Sequence, residues 1–323
     1  MTASIIEPGT LERPAGELPF LRLPERALFQ TRAERLSGLA NGHALGDYLR
    51  FLAAVACAQH TGLGLVRESA NAPSLARGPR LDPIGDVPLP ASDQLARCRE
   101  HGLPPLGTQG WTRAPAWRAV LRHILASLGS TPMPEAARAA IVRLEKTDDT
   151  GLERLADELL SGEYAHLDRA SAPFVAAALQ VYWLHMATSL GLEAFGRLAT
   201  PSLCPVCGSH PVASVVRIGA GEQGLRYLSC SLCSAEWHAV RIKCVFCDTT
   251  KGISYYGIEG GSAAIKAERC DACESYLKIL YMEKDPNVDV VADDVASVAL
   301  DVLMAETGVT RSGVNFFLLG GDA

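Results

Sequence analysis

The sequence predicts an α+β protein with an all-α N-terminal helical domain, two tandem rubredoxin-like or zinc-ribbon β modules, and a C-terminal helix. Three observations lead to this prediction. Apolar residues recur with helical spacing through most of the first two hundred positions. Four C-x-x-C pairs then follow among short alternating segments, and one more amphipathic segment comes after them. At 323 residues the chain has the length of two ordinary domains.

The sequence pattern changes from helical spacing to short β patterns at "TPSLCP", residues 200–205. The cysteine pattern then divides the second part into two modules, and "KDPN" separates these modules from the final helix. The expected divisions are a flexible tail at 1–20, a helical domain at 21–199, a first four-cysteine module at 200–243, a second at 244–284, and the C-terminal helix with its tail at 285–323.

Within the helical domain, residues 23–43 and 45–60 each carry an apolar stripe with helical spacing. From Thr61 to Gly110 the sequence is rich in Pro and Gly, and we predict only one short helix there, Ser92–Glu100. An irregular segment of this length is uncommon inside a compact domain and is usually functional. Four further helical patterns follow: Ala116–Leu128, Pro134–Lys146, Gly151–Leu160 and Ala172–Gly191.

The second part of the chain carries six short β patterns separated by turn residues. They cover residues 212–218, 225–230, 236–242, 252–258, 264–270 and 276–281. After them, Val288–Glu306 has the spacing of one amphipathic helix, and the apolar tail "GVNFFLLGG" follows.

Eight of the ten cysteines form an internal duplication. Adding 40 to each cysteine number in the first set gives the matching number in the second set, and both sets have 22 residues between their inner cysteines. The first set is Cys204, Cys207, Cys230 and Cys233, and the second is Cys244, Cys247, Cys270 and Cys273.

Such pairs hold two sulfurs close together, and two pairs joined by a β-hairpin complete a tetrahedron of thiolates around one metal ion. The sequence therefore predicts two four-thiolate sites, one in each repeat. An interleaved arrangement, in which pairs cross between repeats, stays open at this stage. Zinc is the default ion for closed thiolate tetrahedra, but a rubredoxin-like iron centre uses the same ligands, and spacing does not decide between them. Either ion would at least stabilise the fold of these modules, which are poor in apolar residues.

Other chemistry is less well supported by the sequence. Thioredoxin-like dithiol chemistry needs a C-x-x-C that opens a helix after a strand, whereas these pairs stand between strands. His210 and His238 lie close to the first set but are not needed as ligands, and His185 on its apolar helix is expected to be a core residue. Asp293 and Asp294 suit the positive end of the last helix. The unpaired Cys57 and Cys98 are expected to be packed side chains.

Composition narrows the function classes. The net charge of −6 disfavours a dedicated nucleic-acid or anionic-membrane surface. The N-terminus lacks a basic start followed by an apolar run, and the longest apolar stretch, residues 172–192, lacks the flanks of a membrane span. We therefore expect a cytoplasmic protein without membrane insertion, and no disulfides, because cytosolic thiols stay reduced.

At these residues the chain resembles the formate dehydrogenase accessory protein FdhE family. The resemblance spans most of the chain and rests on "RAERLSGLANGHALGDYLRFLA", "CPVCGSHPV", "CVFC", "CDACESYLK" and "DDVASVALDVLMAETGVTRSGVNFFLL". One departure from a rubredoxin-like pattern is Asp248, which stands where the first module has Gly208.

The resemblance implies a non-enzymatic cytoplasmic maturation factor. Its partner would be the catalytic subunit of respiratory formate dehydrogenase, bound before export, and its eight cysteines would hold two iron ions, with zinc as the alternative. Two rival hypotheses remain at this stage. One is a nucleic-acid-binding tandem zinc-ribbon protein, although residues 204–281 carry eight Lys and Arg against seven Asp and Glu. The other is an electron-transfer component built on thiolate-bound iron.

Overall fold

The structure is a computed structural model that describes residues 19–65, 87–109, 112–164, 167–219 and 221–319. It confirms the predicted α+β class, with a helical part followed by a sheet. The α-helices of the described residues are α1 Leu28–Leu39, α2 Gly46–Leu65, α3 Ser92–His101, α4 Ala116–Ser127, α5 Glu135–Lys146, α6 Asp149–Ser161, α7 Ala172–Leu190, α8 Ala292–Ala296 and α9 Val298–Glu306. The strands are β1 Leu21–Arg22, β2 Pro211–Val216, β3 Arg226–Cys230, β4 Glu236–Ala239, β5 Ile253–Tyr256, β6 Ile265–Cys270, β7 Ser275–Tyr281 and β8 Thr310–Arg311.

Helix α7 forms the centre of the helical part. Its residues from Phe174 to Ala187 are all buried, and α2, α4 and α6 pack around it. A helix that is apolar on every side must be enclosed by protein or lipid. No helix among the described residues combines the length and apolarity needed to cross a membrane. The prediction of a buried helix over 172–191 is therefore confirmed.

The segment between Thr61 and Gly110 differs partly from its prediction. Helix α2 continues to Leu65, and Gly62 within this extension packs closely against Val120 and His123 of α4. The short helix α3 is confirmed. Residues 66–86 lie outside the described part of the chain, as do residues 1–18 of the predicted tail.

The two cysteine repeats share one continuous sheet. Its strand order is β1-β4-β3-β2-β7-β6-β5, and β8 pairs with β7. Within each repeat the strands pair antiparallel, but the repeats are joined by a parallel pairing in which Ser214 lies beside Ile279 and Val216 beside Tyr281. Strand β1, from the start of the described chain, pairs with β4 at the far edge. The boundaries between the modules stay predictions.

The C-terminal helix is two helices, so the prediction of one helix over Val288–Glu306 is wrong. The chain turns at Ser297, whose hydroxyl and N–H both donate to the Asp293 carbonyl, and such back-bonding bends helices. The apolar tail packs onto the helical part, where the Tyr48 hydroxyl donates to the Phe317 carbonyl at 2.5 Å. Phe316 and Phe317 are buried there.

Candidate metal centres

The paired cysteines converge into two clusters, and each cluster comes from one repeat. Within each cluster the four Sγ atoms lie within 4.8 Å of one another. The interleaved alternative is thereby excluded. The clusters are Cys204, Cys207, Cys230 and Cys233, and Cys244, Cys247, Cys270 and Cys273.

The sulfur separations suit a single ion in each cluster. In the first, Sγ of Cys204 lies 3.5 Å from that of Cys233, and Sγ of Cys207 lies 3.4 Å from that of Cys230. The corresponding separations in the second cluster are 3.7 and 3.6 Å. A tetrahedron with metal–sulfur bonds of about 2.3 Å places its sulfurs about 3.8 Å apart, whereas disulfide sulfurs lie about 2.05 Å apart. The donor set therefore fits a four-thiolate metal site.

The backbone around the first pair of each repeat is the same. The Cys204 N–H donates to the Ser209 carbonyl at 3.0 Å, and the Gly208 N–H donates to the Cys204 carbonyl at 2.8 Å. Forty residues later, the Cys244 N–H donates to Thr249 at 2.9 Å and the Asp248 N–H to Cys244 at 3.1 Å. The duplication read from the cysteines therefore extends to the main chain.

Each C-x-x-C pair is followed by a residue in the left-handed conformation. The φ values are +74° at Gly208, +58° at Ser234, +64° at Asp248 and +49° at Glu274. This conformation turns the chain sharply after the second cysteine and disfavours residues with a Cβ. Asp248 thus adopts the backbone of the glycine that it replaces, and its carboxylate lies 3.0 Å from Lys243 Nζ.

The thiols of the first cluster interact strongly. Burial raises the pKa of Cys204 and of Cys233 well above the ordinary value. Burial alone would also raise the pKa of Cys207, but hydrogen bonds from the three neighbouring thiols lower it well below that value. The N–H groups of Leu232 and Cys233 point at Cys230 Sγ, at 3.3 and 3.4 Å. Such N–H···S bonds stabilise sulfur in its anionic, metal-binding form.

In the second cluster burial has the larger effect on the pKa of Cys244, and hydrogen bonding has the larger effect on the pKa of Cys247. Burial raises the pKa of Cys244 to about 12. The backbone N–H of Thr249 lowers the pKa of Cys247, whose side chain is exposed. The Cys247 sulfur therefore carries a negative charge more readily than the sulfurs of Cys244 and Cys270, whose pKa values are raised by burial.

Comparison with known proteins identifies the family. Three sequence profiles, described as "FdhE, N-terminal", "FdhE, central domain" and "FdhE, C-terminal domain", match residues 18–199, 203–241 and 242–318. The chain is 42% identical to "Protein FdhE homolog" from Pseudomonas aeruginosa over 99% of both chains. It is 40% identical to "Protein FdhE" from Salmonella arizonae, covering 96% of this chain and 94% of that one. This chain belongs to the FdhE family.

A solved FdhE structure supports the same conclusion. The crystal structure of the FdhE protein from Pseudomonas aeruginosa superposes on this chain with a TM-score of 0.77 at 40% identity. The superposition covers 94% of this chain and all of the other.

The first cluster of this FdhE-family chain is sealed between the sheet and the helical part. Its four cysteines are at most 1% exposed. The Val206 carbonyl accepts the N–H of Leu106 at 3.0 Å, and the Cys207 carbonyl accepts the N–H of Thr108 at 3.2 Å. On the other side, the buried Gln180 amide of α7 donates to the Ser231 carbonyl at 2.8 Å. The first cluster therefore joins the two parts of the molecule.

The second cluster lies at the surface. Cys247 is exposed and Cys273 is half-buried, although Cys244 and Cys270 are buried. The adjacent edge strand β5 carries Tyr255 and Tyr256, which are 37% and 40% exposed. Identical spacing in the two repeats thus produces two sites with different access to solvent.

The other candidate residues have ordinary structural positions. His210 is exposed, His238 lies in β4, and neither belongs to a cysteine cluster of the described residues. His185 is a core residue, as predicted. Cys57 is exposed, so its prediction as a packed side chain is wrong, and Cys98 is half-buried. Both stand apart from the two clusters.

Sequence reasoning missed a buried ion-pair network beneath α8 and α9. Asp294 accepts two hydrogen bonds of 2.7 Å from Arg311 and lies 3.1 Å from Lys278 Nζ, which also reaches Asp301 at 2.6 Å. Burial alone would raise the pKa of Asp294, but Arg311 and Lys278 lower it below its ordinary value. Its role is therefore more than stabilising a helix end, because it anchors the C-terminal helices to the sheet.

Helix α1, near the start of the described chain, contacts the segment around the start of α8 in the same region. Arg32 of α1 donates through Nε to Asp289 at 3.0 Å, and Arg35 donates to Asp293 at 2.6 Å and to Asp285 at 2.7 Å. The spacing of these arginines on α1 placed them on one helical face, but nothing local in the sequence pointed to their partners.

Proposed function

We propose that this protein is a non-catalytic accessory factor for respiratory formate dehydrogenase, and that it binds the catalytic subunit in the cytoplasm before that subunit is exported. The observation that carries the proposal is FdhE family membership along nearly the whole chain, with both four-cysteine clusters present. The geometry of the clusters agrees with a binding role, because four thiolates complete a tetrahedral shell and leave no coordination position for a substrate.

The eight cysteines are the proposed ligands of two metal ions. We propose iron in both clusters, as in rubredoxin, with zinc as the alternative that the same sulfur geometry accepts. Bound iron would supply a one-electron change between its ferrous and ferric states. Around it, the N–H groups of Leu232 and Cys233 would stabilise the thiolate charge of Cys230. Because Cys204 and Cys233 must lose protons to act as ligands, metal affinity should fall as the pH is lowered.

The two clusters are suited to different tasks. The first, enclosed by residues 106–108 and Gln180, fixes the helical part against the sheet. The second presents Cys247 to solvent beside the exposed Tyr255 and Tyr256. Contact with a partner close to the second ion is therefore the proposed arrangement during maturation.

The partner is tested by affinity capture. The tagged full-length protein is expressed in cells that make respiratory formate dehydrogenase, and its companions are identified by mass spectrometry. We expect the catalytic subunit to be enriched over a tag-only control, and we expect formate-dependent dye reduction to be lost from a deletion strain and restored by the wild-type chain. Active formate dehydrogenase in the deletion strain, or capture without that subunit, contradicts the proposal.

The metal is tested separately by elemental analysis and absorption spectroscopy of aerobically purified protein, in which bound iron would be ferric. Two iron ions per chain and thiolate-to-iron bands that bleach with dithionite are the expected result. Two zinc ions and a colourless protein would keep the ligand assignment and reject iron. Fewer than one metal ion per chain, with all eight cysteines free, would reject the ligand assignment itself.

A further inference from the structure

Strand β5 forms an open edge of the sheet beside the second cluster. It pairs with β6 on one side, and no strand of the described residues pairs with it on the other. Its first residue, Ile253, lies opposite Cys270 of the second cluster. We call the side of Ile253–Tyr256 that faces away from β6 the β5 edge.

Two residues present their main-chain groups at the β5 edge. In an antiparallel pair, every second residue bonds to the partner strand, and the residues between face the other way. The Asp271 N–H donates to the Gly252 carbonyl at 3.0 Å, so residue 252 is one of those that bond to β6. The even-numbered residues of β5 therefore bond to β6 as well. Ile253 and Tyr255 direct their N–H and C=O groups away from it.

The first repeat shows what the equivalent edge accepts. Strand β2 is the first strand after the leading cysteine pair of its repeat, as β5 is in the second repeat. On the side away from β3, β2 takes β7 as a parallel neighbour, and the Met282 N–H donates to the Val216 carbonyl at 3.1 Å. The duplicated unit therefore accepts a further strand at this position in one repeat and leaves the position open in the other.

The sequence of β5 does not protect its edge. Native edge strands are commonly protected by charged residues, by proline or by a bulge. Strand β5 reads ISYY, and its pairing with β6 is regular. Tyr255 and Tyr256 are exposed and lie on opposite faces of the sheet. An added strand would therefore meet an aromatic side chain on each face.

We propose that the β5 edge binds an extended segment of the catalytic subunit of formate dehydrogenase, which joins the sheet as a further strand. This inference rests on the proposed function and names the binding mode of that partner. The outward main-chain groups supply hydrogen bonds, and the two tyrosines favour aromatic or β-branched residues at alternate positions of the segment. A second copy of this chain fits less well, because pairing two strands of four residues buries far less than the roughly 1,200 Å² of a stable interface.

The test uses the full-length metal-loaded protein and short overlapping peptides that cover the sequence of the catalytic subunit. The peptide that binds best is then studied by titration and by amide hydrogen exchange. Binding should slow exchange of the Ile253 and Tyr255 amides about tenfold or more. The amides of Ser254 and Tyr256 should change much less, because they already bond to β6.

Methylation of the peptide nitrogens tests the strand pairing from the other side. Two versions of the peptide carry N-methyl groups at alternate positions. One version should lose binding because its methyl groups replace the N–H groups that face β5, and the other should keep it because its methyl groups face away.

Two substitutions at one residue separate the main chain from the side chain. Tyr255→Thr keeps the outward N–H and should weaken peptide binding by about fivefold or less. Tyr255→Pro removes that donor and places its ring where the added strand would lie, but it spares the hydrogen bonds to β6. It should bind the peptide at least about tenfold more weakly than Tyr255→Thr. If Tyr255→Pro fails to fold, the methylated peptides decide with the wild-type protein.

The results that overturn this inference differ from those that overturn the proposed function. Suppose that the intact catalytic subunit binds the wild-type protein. Absence of any binding peptide, unchanged exchange at Ile253 and Tyr255, or equal effects of the two methylated versions then rejects the β5 edge alone. A wild-type dimer that Tyr255→Pro dissociates, seen by sedimentation, also rejects it, because the occupant is then a second copy. If the intact subunit does not bind, both proposals fail.

Discussion

Excess chelator should remove metal from the two clusters at very different rates. The second cluster presents the exposed Cys247, so a chelator can attack its metal–sulfur bonds in the folded protein. The cysteines of the first cluster are at most 1% exposed, and the loop carrying Cys204 and Cys207 is hydrogen-bonded to residues 106 and 108. Release from the first cluster therefore requires this part of the molecule to open.

The structure sets a minimum for the difference between the rates of metal release from the two clusters. Opening the first cluster breaks the Leu106 and Thr108 hydrogen bonds, detaches Gln180 from Ser231, and separates the helical part from the sheet. Such an opening approaches global unfolding, whose free energy is at least about 5 kcal/mol in ordinary proteins. Since about 1.4 kcal/mol corresponds to a factor of ten, the open form is populated about one part in several thousand. Release from the first cluster should thus be about 10³-fold slower or more.

The assay mixes zinc-loaded protein with a chromogenic chelator and follows absorbance. We expect one equivalent of zinc in a fast phase and one in a slow phase that accelerates in urea. Cys247→Ser should abolish the fast phase, whereas the matched control Cys57→Ser, also at an exposed cysteine, should keep both. Release of both equivalents in one phase, or a fast phase that persists in Cys247→Ser, would refute the reasoning.

Two further predictions concern stability. Gly208→Ala should lower the free energy of unfolding by about 1–2 kcal/mol, because φ is +74° there and the new Cβ would lie 3.1 Å from Pro104. Asp248→Gly should raise the free energy of unfolding by up to about 1 kcal/mol, because glycine adopts the φ of +64° without strain. Urea unfolding measures both, and equal losses would contradict the left-handed assignment. Because the folded pKa of Asp294 is lowered, its contribution is present above the unfolded value of about 3.9 and is lost as the pH falls through the folded value. Asp294→Asn should therefore cost about 3–5 kcal/mol at pH 7 and less at pH 3; a loss independent of pH would contradict this sign.

The features that sequence reasoning predicted correctly are local or repeated. Strands β2 to β7 coincide with the six short β patterns that turn residues separate. The spacing of the cysteines identifies both clusters, because a C-x-x-C turn brings its own sulfurs together. The left-handed backbone at Asp248 is not among these predictions, although Gly208 at the same position of the first repeat is a signal for it.

The missed features depend on residues far apart in the chain. The parallel pairing of β2 with β7 and the pairing of β1 with β4 have no periodic signal, because any apolar strand could take either neighbour. The difference in burial between the two cysteine clusters also depends on residues far apart in the chain. Leu106 and Thr108 cover the first cluster from a segment that reads only as an irregular Pro- and Gly-rich loop.

The ion pairs of α1 have a consequence for synthesis on the ribosome. Arg32 and Arg35 find Asp289 and Asp293 about 257 and 258 residues further along the chain. At translation rates of about 5–20 residues per second, α1 waits about 13–50 s for these partners to be made. Helix α1 can pack on α2 early, but until residues 289 and 293 are made its two guanidinium groups lack the carboxylates that bind them in the folded protein.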